Sequence, residues 1–495
     1  MAPLVLAPNV VQRIIYFLIH NDCLPVDRHA KRVPDLAKYA TISRIWQDGI
    51  ERETFASLRL DFGRLSKATS IVTSQRRRYV RTIKLDVALP KSGPVESPET
   101  DEEKLRNNRA LQATFEMFMQ VMSLWEAKDV QREGIKLYVD TSTPDDAVSG
   151  RLDSPSSWKR QEQLERRRVL SLLELTNPGR ITDYPPVVAI TEYKGNSSEI
   201  SIHISAVATC VLLSKLPAVK TAFIDWWRCS HFSRVRPSLS AAISQINQPM
   251  DELCISDSSL TFGDWLTFTP PSATSMQELD ELSISIRNFS QRLKRLELYD
   301  ILISDELFFP GTLSLGMAPR WDRLVKLNLH YLPVTHAGEW LFLPDPDASS
   351  SFEGELNSGG LSLSCGDMPI GESHPKPSIA APAMQRFYLS VARAALQMPQ
   401  LRQMKLIAQL ENSISWHKCW HKFRYYTTEL VAEALWTSSS GFVPDNEVLD
   451  CWRKVPKKHL KKELLVEISN DENAVESLGD DESDMEESDE KLGVA

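Results

Sequence analysis

His417, Cys419 and His421 stand at alternate positions, a spacing that would put two imidazoles and a thiol on one face of a strand as donors to a metal ion. A tetrahedral zinc site needs a fourth ligand and usually spaces its cysteines by two residues, and the neighbourhood supplies neither. Trp416, Trp420, Phe423, Tyr425 and Tyr426 interleave with the trio. The reading is an aromatic strand packed on the end of a domain, with no metal. Cys229 and His231, beside Trp226 and Trp227, read the same way. Gly360-Leu-Ser-Leu-Ser begins like a nucleophile elbow, but it lacks the final Gly and lies in a polar stretch rather than between a strand and a helix. The chain has no Gly-rich phosphate loop ending in Lys-Ser/Thr, no dinucleotide fingerprint and no His-Glu-x-x-His helix. No catalytic residue, metal or cofactor is expected.

Surfaces are then what remains to do the work. With 42% hydrophobic and 25% charged residues, the 495-residue chain has ample material for a core. No segment reaches the ~20 consecutive apolar residues that span a bilayer; the best run, Ile204 to Leu213, reads as a core helix. The first apolar stretch contains Arg13 and has neither a basic leader nor a small-residue cleavage site, so it is not read as a secretory signal. Scattered cysteines fit a reducing compartment. An intracellular protein of the cytoplasm or nucleus, without a membrane partner, is the expectation. The net charge of -9 is uneven: residues 471 to 490 hold 11 acidic and no basic side chains, which leaves the remainder slightly positive. A nearly neutral folded part argues against nucleic acid as the partner.

Two helices open the chain. Val10, Val11, Ile14, Ile15 and Leu18 share a helix face over residues 4 to 19, with Pro8 near the first turn, where its missing N–H costs nothing. Beyond a Pro/Asp/basic stretch, a second helix from about Asp35 to Glu51 carries Leu36, Tyr39, Ala40, Ser43, Trp46 and Ile50 at helical intervals.

These residues resemble the F-box family, in which a Pro is followed at fixed steps by aliphatic residues and then by a helix with a Ser and a Trp. Pro8, Val10, Val11, Ile14, Ile15 and Leu18 match the first part, and Ser43, Trp46, Ile50, Phe55 and Leu58 the second. Ala7 stands where the family usually has Leu, and the linker between the helices is longer than its norm. The string from Leu36 to Gln47, followed by Ile50 to Phe55, looks like F-box-domain proteins of filamentous fungi whose remaining domain has no assigned function. The resemblance implies that Pro8, Val10, Val11, Ile14, Ile15, Leu18, Ser43 and Trp46 dock on the Skp-family adaptor of a cullin-based ubiquitin ligase. The rest of the chain would then recruit a protein target of unknown identity.

Past Phe55, helix-like and strand-like segments alternate. Strands are expected over Val80 to Val87 and Gly134 to Val139, flanking an amphipathic helix through Leu111, Phe115, Phe118, Met122 and Trp125. The string apolar-x-x-apolar-x-apolar, suited to a strand with one buried face, recurs at Val80/Ile83/Leu85, Val219/Ala222/Ile224, Met250/Leu253/Ile255, Leu279/Leu282/Ile284, Leu293/Leu296/Leu298, Leu324/Leu327/Leu329 and Leu401/Met404/Leu406. Three intervals are near 30 residues; the 14-residue step from Leu279 to Leu293 is too short for a helical return and marks a hairpin or a spurious string.

The expected fold is α/β, α+β overall. An F-box-like helical segment (1–60) leads into an irregular leucine-rich-repeat-like helix/strand array (61–465), and a disordered acidic tail (466–495) follows. Polar insertions expected to be disordered interrupt the array near 91–103, 142–158 and 344–377. The alternative to an adaptor is a structural or scaffolding repeat protein whose N-terminal hairpin only caps the array.

Overall fold

The computed structural model describes residues 7–20, 37–91, 99–129, 133–144, 171–195, 202–226, 235–257, 279–309, 318–338, 341–343, 378–379, 381–410, 419–439 and 441–469. The fold is α/β, as its alternating patterns require. The chain forms two compact units, Met1–Ile224 with Gln245–Met250, and Asp225–Ser244 with Asp251–Ala495. The expected insertion over 344–377, the acidic tail from 470 and most of the insertion over 142–158 lie outside the described residues.

Unit 1 begins with three helices, α1 (Pro8–His20), α2 (Ala37–Ala40) and α3 (Arg44–Ala56). The second helix expected as one piece is broken at Thr41–Ser43, because Ser43 takes an extended conformation and its hydroxyl caps α3 by accepting the Trp46 N–H. Next come β1 (Ser57–Leu60), α4 (Phe62–Ile71), α5 (Ser74–Arg77), β2 (Thr82–Ala88), α6 (Asp101–Met122) and β3 (Ile135–Ser142). β4 (Leu172–Leu173), α7 (Pro178–Thr182), β5 (Ile190–Lys194), β6 (His203–Ile204), α8 (Ala206–Ser214) and β7 (Thr221–Asp225) complete it.

Strands β1, β2, β3, β5 and β7 lie side by side in chain order, all parallel. Ile83, Leu137, Tyr193 and Ala222 share one register row and are wholly or almost wholly buried. Alternation puts every second side chain on that covered face. α6 runs over it with Leu111, Phe115, Phe118 and Met122 fully buried, and Trp125 follows just beyond the helix. Its start falls inside the tract expected to be disordered, because Thr100 and Glu103 form a reciprocal capping box. Gly134 enters β3 at φ +77°, with the Thr191 side chain 2.1 Å from where a Cβ would sit, so only glycine fits.

Unit 2 follows the same logic. Its elements are α9 (Arg236–Ser244), β8 (Glu252–Ser256), α10 (Glu281–Ser290), β9 (Arg295–Ile301), β10 (Lys326–Tyr331) and the small antiparallel pair β11 (Phe342–Leu343) and β12 (Ser378–Ile379). Then come α11 (Ala381–Ala395), β13 (Gln403–Leu410), β14 (Cys419–Thr427), β15 (Ala432–Ser438), α12 (Asn446–Leu460) and β16 (Leu464–Ser469). β8, β9, β10 and β13 are parallel neighbours, β14 and β15 add antiparallel, and β16 adds parallel to β15. β16 carries the sheet past the expected end of the array at 465.

The recurring strings align with one another: Leu253, Leu296, Leu327 and Met404 form one buried row, and Ile255, Leu298, Leu329 and Leu406 the next. The string Leu279/Leu282/Ile284 is the exception and is spurious, because it enters α10. There the Asp280 carboxylate caps the helix by accepting the Ser283 N–H, and Leu282, Ile286 and Phe289 are buried at helical spacing, while Leu279 is exposed.

Candidate functional site

The N-terminal hairpin has a core of its own. Val11 and Ile15 of α1 pack with Ile50 of α3, and Tyr39, Ala40 and Trp46 close around them. Tyr39 and Trp46 lie 6.2 Å apart, centre to centre. Gly49 permits the close approach of the helices, since the Ile15 Cδ1 sits 2.6 Å from where a Gly49 Cβ would be.

The face expected to dock as one surface is therefore divided. Val11 and Ile15 are consumed inside the hairpin, whereas Val10 is exposed and Ile14 and Leu18 are half-buried. Pro8 opens α1 as expected, Ser43 caps α3, and Trp46 is half-buried against the hairpin core. Because 100° separates successive helical residues, Val10, Ile14 and Phe17 form a second stripe beside the buried one. Phe17 is 64% exposed and Tyr16 55%. At the α2–α3 junction Ile42 and Ile45 are exposed too. Sequence reasoning missed Tyr16, Phe17, Ile42 and Ile45; the i, i+4, i+7 spacing of Val10, Ile14 and Phe17 was the available signal.

Charged contacts hold α3 in place. Arg76 donates to Glu51 at 2.8 Å and lies over the Phe55 ring, 4.8 Å from its centre. The bonded Arg76 guanidinium keeps the Glu51 carboxyl below the usual carboxylate range. Tyr79 donates a short hydrogen bond to Asp48, and burial together with that bond pushes its hydroxyl pKa up. Arg77 pairs with Asp129 at 3.1 Å. Two members of the basic string Arg76 to Arg78 are thus committed to structure.

The other candidate residues are mostly core or lie outside the described residues; Cys419 opens β14, and Tyr426 on the same strand is half-buried and donates a short hydrogen bond to Glu433. His421 is wholly buried, its ring centre 4.9 Å from Phe442 and 5.3 Å from Tyr388. Burial drives its pKa down to about 3, so it is a neutral core imidazole. Phe423, Tyr425, Trp436 and Trp452 complete an aromatic core across β14, β15 and α12. Trp226 is fully buried. His417, Cys229, His231, Trp227, Trp416 and Gly360 lie outside the described residues. Among the described residues no group of three metal-ligating side chains occurs, and no helix is long and apolar enough to cross a membrane.

Unit 2 also has a cavity of about 330 Å³ at the carboxyl ends of β9 and β10, lined by Asp305, Tyr331, His336, Arg386 and Phe387 among others. Ser304 beside it caps a turn by accepting the Glu306 N–H at 3.3 Å. Its walls mix apolar side chains with these charged and polar ones.

Residues 372–488 match a family of unknown function (DUF6546), a span that includes α11 through β16. No curated protein matches the chain.

Proposed function

We propose that the chain is an F-box-like substrate-recognition adaptor of a Skp/cullin-type ubiquitin ligase. Its N-terminal hairpin docks on the Skp-family subunit and the helix/strand array recruits a protein target. The observation that carries this reading is the pair of adjacent apolar stripes on α1, one buried within the hairpin and one exposed through Val10 and Phe17. Exposed aromatic and aliphatic side chains gathered on a short helix are stabilised when a partner covers them. A hairpin that merely capped the array would spend its buried side chains on the array. Val11 and Ile15 spend theirs on Ile50, Tyr39, Ala40 and Trp46 of the hairpin itself. In this reading the chain contributes no catalytic group; the transfer chemistry belongs to the ligase it joins.

Val10→Asp with Phe17→Asp places two charges on the exposed stripe without touching the hairpin core, so folding is retained. Adaptor binding should fall at least 30-fold, equivalent to about 2 kcal/mol. Recovery of purified Skp-family adaptor on the intact chain measures it, with Ile71→Asp, an exposed site on α4, as the control. Undiminished recovery by the double variant, or no recovery by the native chain, contradicts the assignment. Ile15→Asp is a poor test because it would open the hairpin core.

A further inference from the structure

Lys405 of β13 stands directly opposite Arg424 of β14 in the antiparallel register. Like charges in that position repel at close quarters. Both side chains are half-buried, on the sheet face opposite the buried pairs Leu406/Phe423 and Met404/Tyr425. Among the described residues neither has a carboxylate within ion-pair distance. Of the nearby carboxylates on the same face, Glu433 is bonded to the Tyr426 hydroxyl, Glu467 stands two strands from Arg424 with Leu435 between, and Glu297 stands two strands from Lys405 with Asn328 between and pairs with Lys326 at 3.4 Å. Lys422, two residues before Arg424, adds a third cation to this face and lies over the Trp420 ring at 5.2 Å.

The chain itself supplies an anion suited to these cations. β16 ends at Ser469, whose register partner is Thr437, and Thr437 in turn pairs with Lys422. Strand spacing of about 4.8 Å puts the exit of the C-terminal segment roughly 10 Å from Lys422. The next residues, 471–490, carry 11 acidic and no basic side chains. Ten residues reach up to about 33 Å when extended, more than the path to Lys405 requires. Tethering gives such a segment an effective concentration on the order of millimolar. The second basic cluster, Lys457, Lys458, Lys461 and Lys462, lies at the opposite end of β16, about 17–20 Å back along the strand.

We infer that the cationic row formed by Lys405, Arg424 and Lys422 is a binding surface for acidic peptide, and that its resident occupant is the acidic segment 471–490 of the same chain. An acidic protein segment arriving from outside would compete for the same row, which makes the tail a built-in competitor on the array. Within the adaptor reading this specifies an acidic target. The test involves no Skp-family protein, so its failure leaves hairpin docking untouched.

Two forms of the intact chain are compared, native and one with the acidic residues of 471–490 changed to their amides. The probe is a fluorescent synthetic peptide of residues 471–490. It should bind the neutral-tail chain at least tenfold more tightly than the native chain, with an affinity that falls as salt is raised. Lys405→Gln with Arg424→Gln in the neutral-tail chain should remove at least tenfold of that binding, while Lys457→Gln with Lys461→Gln should leave it within twofold. Carbodiimide coupling of the native chain should join tail carboxylates to Lys405 or Lys422 within one molecule. Equal binding to native and neutral-tail chains, or no binding to either, would overturn the inference. So would coupling confined to the Lys457 to Lys462 cluster or to pairs of molecules.

Discussion

Asp280→Ala will destabilise unit 2 by about 3–5 kcal/mol, the usual cost of breaking a buried ion pair by removing one partner. Asp280 and Arg236 are both almost completely buried and joined by a short hydrogen bond. Burial pushes the Asp280 carboxyl up, but the Arg236 charge and the hydrogen bonds from Ser283 and Arg236 outweigh it and hold the group below the ordinary carboxylate range. The pair ties α9 to the start of α10, and Arg236 also donates to the Leu302 carbonyl at 3.1 Å. Alanine at 280 removes the carboxylate bonded to the Arg236 guanidinium, both of them buried. Urea titration of the intact chain measures the effect. Arg236→Met combined with Asp280→Leu should recover most of the loss, since it removes both charges together. A loss below about 1 kcal/mol in the single variant would show that the pair carries little of the stability of unit 2.

The second large effect depends on pH and resides in His421. Among the described residues neither ring nitrogen has a hydrogen-bond partner, and burial lowers its folded pKa to about 3, against 6.5 for the exposed side chain. Below pH 6.5 the unfolded chain gains a proton that the folded chain refuses. The stability associated with neutral His421 is therefore complete above about pH 6.5 and is lost as pH falls toward 3. Each pH unit costs about 1.4 kcal/mol, so roughly 2–3 kcal/mol is gone by pH ~4.5. His421→Phe keeps the aromatic contacts with Tyr388 and Phe442 and removes the titration. The stability gap between variant and native chain should widen in favour of the variant between pH ~7 and ~4.5, read by urea titration at each pH. A gap that stays constant would show that His421 takes up its proton in the folded state.

Most of the array was legible because a parallel strand covered on one face must alternate, and alternation is visible in residues such as Leu296/Leu298 and Leu327/Leu329. Leu279/Leu282/Ile284 misled because the same apolar spacing also fits a helix. What decided it was the local bond from the Ser283 N–H to Asp280, which a hydropathy pattern does not contain. β5 escaped the string pattern altogether, since the buried residue in its shared row is Tyr193. In the hairpin, apolar positions on α1 were readable but their allocation was not. A stripe wider than one helix contact serves two surfaces, and only the position of α3, set by Gly49 and Ile50, shows that Ile15 faces inward while Phe17 faces out. The cationic row was hidden for a similar reason: Lys405 and Arg424 are far from adjacent in sequence and meet only through the β13–β14 register.

Hairpin docking is tested most directly by amide hydrogen exchange on the intact chain, with and without saturating Skp-family adaptor. Backbone amides of a helix covered by a partner exchange more slowly as local opening becomes rarer. Protection should appear in α1 and around the α2–α3 junction, reaching at least tenfold at residues 14–18, with little change in β8 to β10. Absence of protection in α1, or protection confined to the sheet of unit 2, would contradict an adaptor-binding hairpin.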